Sequence, residues 1–311
     1  MINLWFTVEG LMYRILMSII LLMFLSSFGF AKGIVVSIKP AYFIALMVTG
    51  GENTRLIVKN NVSPHDISLT YNQIQQIIDS DLVIIVSKNL EKEIFKTAQK
   101  HSKRIIILDE IKSLKLKKFE IINIQDNKHS SSKSIDYHFW LDPIQVKSVI
   151  NYLAKEIGSQ YPKKSQMYEQ NIVKYNKELD GLNNNIQGKL ASDSLKIMTY
   201  HNGWQYFMDR YKINYFGSIV GMENESAHEH GSETLSAKDF ISLKSYLQAN
   251  SIQCVAMEEQ FKDKAVERFL QQNNVKIIVL NPIDSPSQGL NVNHYFTMMK
   301  NNANAIQNCL Q

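Results

Sequence analysis

The chain is poor in the features that most readily declare a function. Cysteine is nearly absent: Cys254 and Cys309 are the only two among 311 residues, so cross-linking within the chain is limited to one disulfide. No Gly-x-Ser-x-Gly, His-Glu-x-x-His or glycine-rich phosphate loop occurs, which removes the usual sequence signals of a nucleophilic hydrolase, a zinc peptidase and a nucleotide site. Neither sign of charge dominates, with 34 Lys+Arg against 29 Asp+Glu and a net charge of +5. The lysines are scattered. Their one cluster, Lys112, Lys115, Lys117 and Lys118, has no interleaved aromatic residues and reads as a solvated face, not a nucleic-acid surface. No short-period repeat is present.

The longest apolar run lies at the N-terminus. Arg14 precedes Ile15 to Leu25, interrupted only by Ser18, and small residues follow up to Gly29-Phe30-Ala31. That order is a secretory leader, with cleavage expected after Ala31. The run is short for a membrane span of about 20 residues; an uncleaved anchor is the alternative. Met12 is a second candidate start, because Glu9 suits a leader poorly. No cysteine stands near the cleavage position to carry a lipid. Removing residues 1 to 31 takes away Glu9 and Arg14 and leaves the net charge at +5. The mature chain is expected outside the cytoplasm, in the periplasm. In an oxidising compartment two cysteines are most simply one disulfide, here closing a loop of about 55 residues; two metal-ligating thiols are the other reading.

The first half alternates strands and helices. Gly33 to Ile38 reads as a strand ended by Lys39-Pro40, and Ala41 to Val48 as a helix ended by Gly50-Gly51. Arg55 to Val58 is a strand. Thr70-Tyr71-Asn72-Gln73 has the form of a capping box opening a helix through Ile78. Leu82 to Val86 is a continuous apolar strand suited to a buried parallel sheet. A helix around Leu90 to Gln99 and a strand at Arg104 to Leu108 follow. The polar stretch Asn123 to Ser134, with His129 and several serines, reads as a mobile loop. A helix is expected from Pro143 to about Ile157. Pro162 then opens a long polar helix to about Ala191, with an apolar stripe at Met167, Ile172, Tyr175, Leu179, Leu182 and Ile186.

The second half repeats the alternation. Strands are expected at Leu195 to Tyr200, Tyr215 to Val220, Cys254 to Met257 and Val275 to Leu280. Helices are expected at Trp204 to Tyr211, after the Ser236 cap to Leu247, at Lys264 to Gln271 and at Tyr295 to Cys309. The pattern predicts an α/β chain of two Rossmann-like parallel-sheet lobes joined by one long linking helix. Its divisions are a signal peptide at 1–31, an N-terminal lobe at 32–158, a linking helix at 159–193 and a C-terminal lobe at 194–311.

Histidine is where chemistry gathers. His65 stands in Ser63-Pro64-His65-Asp66, His138 in Asp136-Tyr137-His138-Phe139-Trp140, and His201 directly after an apolar strand. Pro64 holds its own φ and biases Ser63 to an extended conformation, which would fix His65. Ligands in open α/β sheets collect beyond the carboxyl ends of strands, where His201, Glu258, Glu259 and Asn281 all fall. Each histidine taken singly reads as an ordinary loop or core residue. Together, at compatible junctions of two lobes, they point to one metal site, since neutral imidazole is the usual partner of zinc and similar cations. His228-Glu229-His230, in a polar stretch without periodicity, is an auxiliary metal-trapping candidate set against a solvated loop. No role is read for His101 or His294.

These segments also carry a family likeness. The strand Val35 to Pro40, Ser63-Pro64-His65-Asp66, His138-Phe139-Trp140-Leu141-Asp142-Pro143, Tyr200-His201-Asn202 and Cys254 to Phe261 occur in an order that resembles the solute-binding proteins of zinc and manganese ABC importers, on the zinc branch. The resemblance runs from about Ile34 to Cys309. It implies two α/β lobes on a rigid long helix, metal bound between them by His65, His138 and His201, and a Cys254–Cys309 disulfide. Histidine in the third ligand position looks like the zinc branch. Two departures stand out: the stretch before the second ligand is short and holds only His129, and Asn281-Pro282 replaces an Asp-Pro that serves the manganese branch as a ligand.

The expected function is therefore capture of Zn²⁺, in preference to Mn²⁺, by His65, His138 and His201, with Glu258 or water in the fourth position, and delivery to an ABC permease. Affinity is expected to fall as pH drops through about 6.5, because metal requires neutral imidazole. A monomer without enzymatic activity or nucleic-acid binding is expected. The rivals are an exported zinc hydrolase with Glu258 as base, a manganese-binding relative and an adhesin.

Overall fold

The two central strands of the chain's first sheet are too apolar to face water on either side. The computed structural model describes residues 33–59, 67–101, 103–123, 128–191, 195–220, 235–259, 261, 263–283 and 289–309; the expected leader at 1–31 lies outside them. β1 (Ile34–Val36), β2 (Thr54–Leu56), β3 (Leu82–Ile85) and β4 (Arg104–Ile107) form a parallel sheet in the order β2-β1-β3-β4. β1 and β3 are buried along their whole length, as the continuous apolar runs require. Between the strands lie α1 (Lys39–Thr49), α2 (Tyr71–Ile78) and α3 (Lys92–Lys100). Pro40 sits in the first turn of α1, where its missing N–H costs nothing. Gly50 ends α1 in the left-handed region at φ 66°, its N–H returning to Leu46 O. The Thr70–Gln73 capping box is formed in both directions.

A second parallel sheet has the order β10-β9-β7-β8. Its strands are β7 (Lys196–Thr199), β8 (Asn214–Ser218), β9 (Cys254–Glu258) and β10 (Lys276–Leu280). Its helices are α6 (Gln205–Arg210), α7 (Ala237–Ala249), α8 (Lys264–Gln272) and α9 (Asn293–Asn308), after α4 (Pro143–Gln160) and α5 (Ser165–Lys189) of the middle region. Ser236 caps α7 in a reciprocal box with Asp239. The expected α/β class with two parallel sheets is what the chain adopts, and no helix among the described residues is long and apolar enough to cross a membrane.

α5 lies along both sheets' outer helices. Tyr175, Leu179, Leu182 and Ile186 are buried on one stripe, and each fully buried aliphatic side chain stabilises by about 1.5–3 kcal/mol. Near its start, Asn171 Nδ2 donates to Val48 O at 2.8 Å, beside α1; at its end, Lys189 meets Asn304 of α9. The main apolar cluster runs unbroken from β1 through α4 and α5 to Trp204, Cys254 and Tyr295. A second cluster, including Val255, Leu243 and Leu270, lies within the C-terminal lobe alone.

One expectation is corrected here. The polar stretch Asn123 to Ser134 is not a loop: β5 (Lys117–Asn123) and β6 (Lys128–Asp136) pair antiparallel, with Ile122 opposite His129 and Lys117 opposite Asp136. Residues 124–127 lie outside the described residues. Strand pairing is made by backbone groups, so a hairpin that forms a two-stranded sheet of its own needs no alternating apolar pattern, and periodicity overlooks it. The hairpin leans on the second lobe. Tyr206 Oη accepts from Lys117 N at 2.7 Å, Lys117 pairs with Asp209, and Asn202 Nδ2 donates to Glu120 O at 2.9 Å.

Candidate metal site

His201 follows β7 immediately, and Glu258 is the last residue of β9, the neighbouring parallel strand. Both therefore project from carboxyl ends of adjacent strands. Thr199 Oγ1 donates to His201 O at 2.8 Å, which shapes the turn out of the strand. His138 comes from the β5–β6 hairpin, two residues past the end of β6 at the start of a 3-10 turn over Phe139–Leu141. That turn is closed by Leu141 N on His138 O at 3.0 Å.

The His138 and His201 rings meet with centroids 5.2 Å apart and planes at 74°. Both are buried. Trp140 lies 5.0 Å from the His138 ring, and Phe261 4.8 Å from the His201 ring. Gly203 closes the floor: a Cβ there would stand 2.8 Å from His201 Cε1 and 2.9 Å from His138 Cε1, so the backbone itself packs against the two rings.

A carboxylate accompanies each imidazole. His138 Nδ1 lies 2.7 Å from Asp136 Oδ1, which also accepts from His138 N at 2.9 Å. His201 Nδ1 lies 3.4 Å from Glu258 Oε2, beyond a well-made hydrogen bond. Glu258 Oε1 accepts from Trp204 Nε1, while Oε2, fully buried, has no hydrogen bond among the described residues. Glu258 thus approaches His201 on its Nδ1 side. Among the described residues no group of three or more His, Cys, Asp or Glu is arranged to hold a metal ion. His65, His228 and His230 lie outside the described residues.

Other candidates are placed elsewhere. Cys254 and Cys309 are bonded to each other, which removes the reading of two metal-ligating thiols. Asn281 turns inward on its own loop, its Oδ1 accepting from Ile283 N at 3.1 Å and its N donating to Asn302 Oδ1 at 2.8 Å. His294 stacks on Phe43 at 5.7 Å. Asp136 escaped the sequence reading. Its signal was the Asp-x-His spacing, short enough for one carboxylate to serve both the backbone N–H and the ring of the histidine.

The segment around His138 is tied into the second lobe. Trp140 Nε1 donates to Pro282 O at 2.8 Å, Tyr295 Oη donates to Trp140 O at 2.8 Å, and Tyr206 Oη donates to Asp136 O at 3.0 Å. Burial and the nearby Asp136 carboxylate push the Tyr206 hydroxyl well above its ordinary pKa, so it stays protonated and able to donate.

The family model described as zinc-uptake complex component A, periplasmic, matches residues 34–309. The high-affinity zinc uptake system protein ZnuA of Haemophilus ducreyi is 25% identical over 273 residues, covering 80% of this chain and 84% of that protein. A solved 138–173 deletion mutant of ZnuA with zinc bound superposes at a TM-score of 0.72, with 21% identity over 90% of this chain and 98% of that one. The laminin-binding adhesin Lmb of Streptococcus agalactiae, in a mutant structure, gives 0.73, with 20% identity over 90% and 99%. At these identities the solved structures speak for the fold; the family match over almost the whole described chain speaks for kinship. The chain belongs to the family of periplasmic zinc-uptake component A, solute-binding proteins of ABC importers and not enzymes.

Proposed function

We propose that the protein captures Zn²⁺ between its lobes through His65, His138 and His201 and hands it to an ABC permease. The observation that carries this reading is the meeting of the His138 and His201 rings, 5.2 Å apart, at the carboxyl end of β7. Two imidazoles from opposite lobes, walled by Trp140 and Phe261, form half of a tetrahedral nitrogen site. His65 supplies the third ligand from the loop after β2. The fourth position falls to water or to Glu258, whose Oε2 retains acceptor capacity in a buried place. His228 and His230 act as an auxiliary trap for metal.

Zinc is favoured over manganese on two counts. Imidazoles suit zinc, whereas manganese prefers oxygen donors. Asn281 offers no carboxylate, and its side chain is engaged in its own turn. The leader at residues 1–31 is removed after Ala31, and the mature protein works in the periplasm as a monomer without nucleic acid.

Elemental analysis of protein purified from its native compartment, followed by competition between Zn²⁺ and Mn²⁺, tests this. One zinc per chain that manganese fails to displace supports the reading. Metal-free protein that binds neither ion, or manganese held in preference, overturns it.

A further inference from the structure

Asp136 is a carboxylate in an expensive place. It is completely buried at the end of β6, where an ionised side chain costs several kcal/mol unless partners offset it. Among the described residues no lysine or arginine pairs with it; its recorded ion-pair partner is the His138 ring. Its Oδ1 accepts at 2.9 Å from His138 N and lies 2.7 Å from His138 Nδ1, and its Oδ2 accepts from Gln205 Nε2 at 3.4 Å. A turn needs only the first of these contacts. The second is addressed to the ring.

We infer that Asp136 is the positioning residue of His138, fixing the ring's rotation and tautomer so that Nε2 faces the metal. A carboxylate can only accept, so Nδ1 is the nitrogen that carries the proton. In neutral imidazole Nε2 then holds the lone pair that a zinc ion takes. His138 is held at two points, its backbone N–H and its ring Nδ1 sharing a single oxygen. Gln205 and the Tyr206 hydroxyl, both from α6, hold Asp136 from the opposite lobe. The orientation of one ligand is thereby referred to the lobe that carries His201. Such outer partners also raise the basicity of the bound ring and typically account for about 10–100-fold in metal affinity.

The inference rests on His138 being a zinc ligand, and the experiment separates the two claims. Full mature protein is prepared as wild type, Asp136→Ala, Asp136→Asn and His138→Ala. The His138 tautomer is read in metal-free protein at pH 8 by long-range ¹H–¹⁵N NMR, and zinc affinity by chelator competition. Wild type is expected as the Nδ1–H form. Asp136→Ala is expected to shift the ring toward Nε2–H and weaken zinc by about 10–100-fold. Asp136→Asn, which keeps an acceptor at Oδ1, is expected to restore the tautomer and most of the affinity. A merely structural Asp136 would lower the melting temperature of Asp136→Ala and leave tautomer and affinity unmoved, and that result overturns the inference. Undiminished zinc binding by His138→Ala removes the ligand reading itself, and the inference with it.

Discussion

His138 and His201 face each other edge to plane across the junction of the two lobes, at 5.2 Å between ring centroids. One hangs from a hairpin of the first lobe and the other from a central strand of the second. Neither position is set by local chain geometry, so the pair exists only when both lobes are folded and docked. Replacing either with alanine is expected to weaken zinc binding by more than the roughly 100-fold upper effect of losing a supporting partner, with helix content retained. Titration calorimetry that finds wild-type affinity in His201→Ala would remove it from the ligand set.

Arg210 grips Asp142 with both arms, Nε to Oδ1 at 2.7 Å and Nη2 to Oδ2 at 2.6 Å. Asp142 also caps α4 through Ile144 N at 2.8 Å. The bond joins α6 of the second lobe to α4 of the first, and Arg210 is partly exposed, so the full cost of breaking a buried pair does not apply. Arg210→Ala is expected to lose about 1–3 kcal/mol in chemical denaturation. Arg210→Lys should recover only part of it, because one ammonium cannot reproduce the fork.

Cys254 opens β9 and Cys309 follows α9, 55 residues apart and bonded. Cross-linking a loop of that length stabilises by about 4 kcal/mol in the chain-entropy account. The double variant Cys254→Ser, Cys309→Ser is expected to melt correspondingly lower and still bind zinc. The reason is distance: the bond holds the start of β9, whereas Glu258 stands at its far end, about 13 Å away at the usual rise per residue. Loss of zinc affinity at a temperature where the variant is folded would contradict this separation.

Glu91 provides a pH signature. It is buried beside Ser37, which donates to its Oε1 along with Val86 N at 3.0 Å, while Ser87 N donates to Oε2 at 2.7 Å. Burial pushes its carboxyl from the ordinary 4.5 up to about 7, against the downward pull of those donors. The folded state therefore holds a proton that the unfolded chain releases between 4.5 and 7. Stability from this group is complete below 4.5, declines as pH rises through that window and levels above about 7, by up to about 3 kcal/mol. Urea unfolding at pH 5 and pH 8 should find wild type gaining on Glu91→Gln at the lower pH. A difference that is the same at both values would refute the assignment.

Much of the frame was legible because its causes are local. Both capping boxes, at Thr70 and Ser236, formed where a hydroxyl stands three residues before an amide or acid. The apolar runs Leu82–Ile85 and Cys254–Met257 became buried parallel strands. The β5–β6 hairpin was hidden, because its pairing uses backbone and its side chains carry no alternation. Asp136 was hidden for a different reason: a lone aspartate reads as a surface turn until the fold reveals that it is buried.

The amino-acid order alone settled the strands and helices of the two main sheets, that those strands lie parallel, and that His201 follows one of them. Those outcomes depend on caps, glycines and apolar runs within a few residues of one another. Tertiary structure decided the rest. It brought His138 to His201, gave Asp136 to the His138 ring, turned Glu258 to Trp204, and locked Arg210 onto Asp142. Each joins residues whose only connection is through packing, and burial is what makes these polar pairings consequential: away from water, each group depends on the partner that the fold delivers.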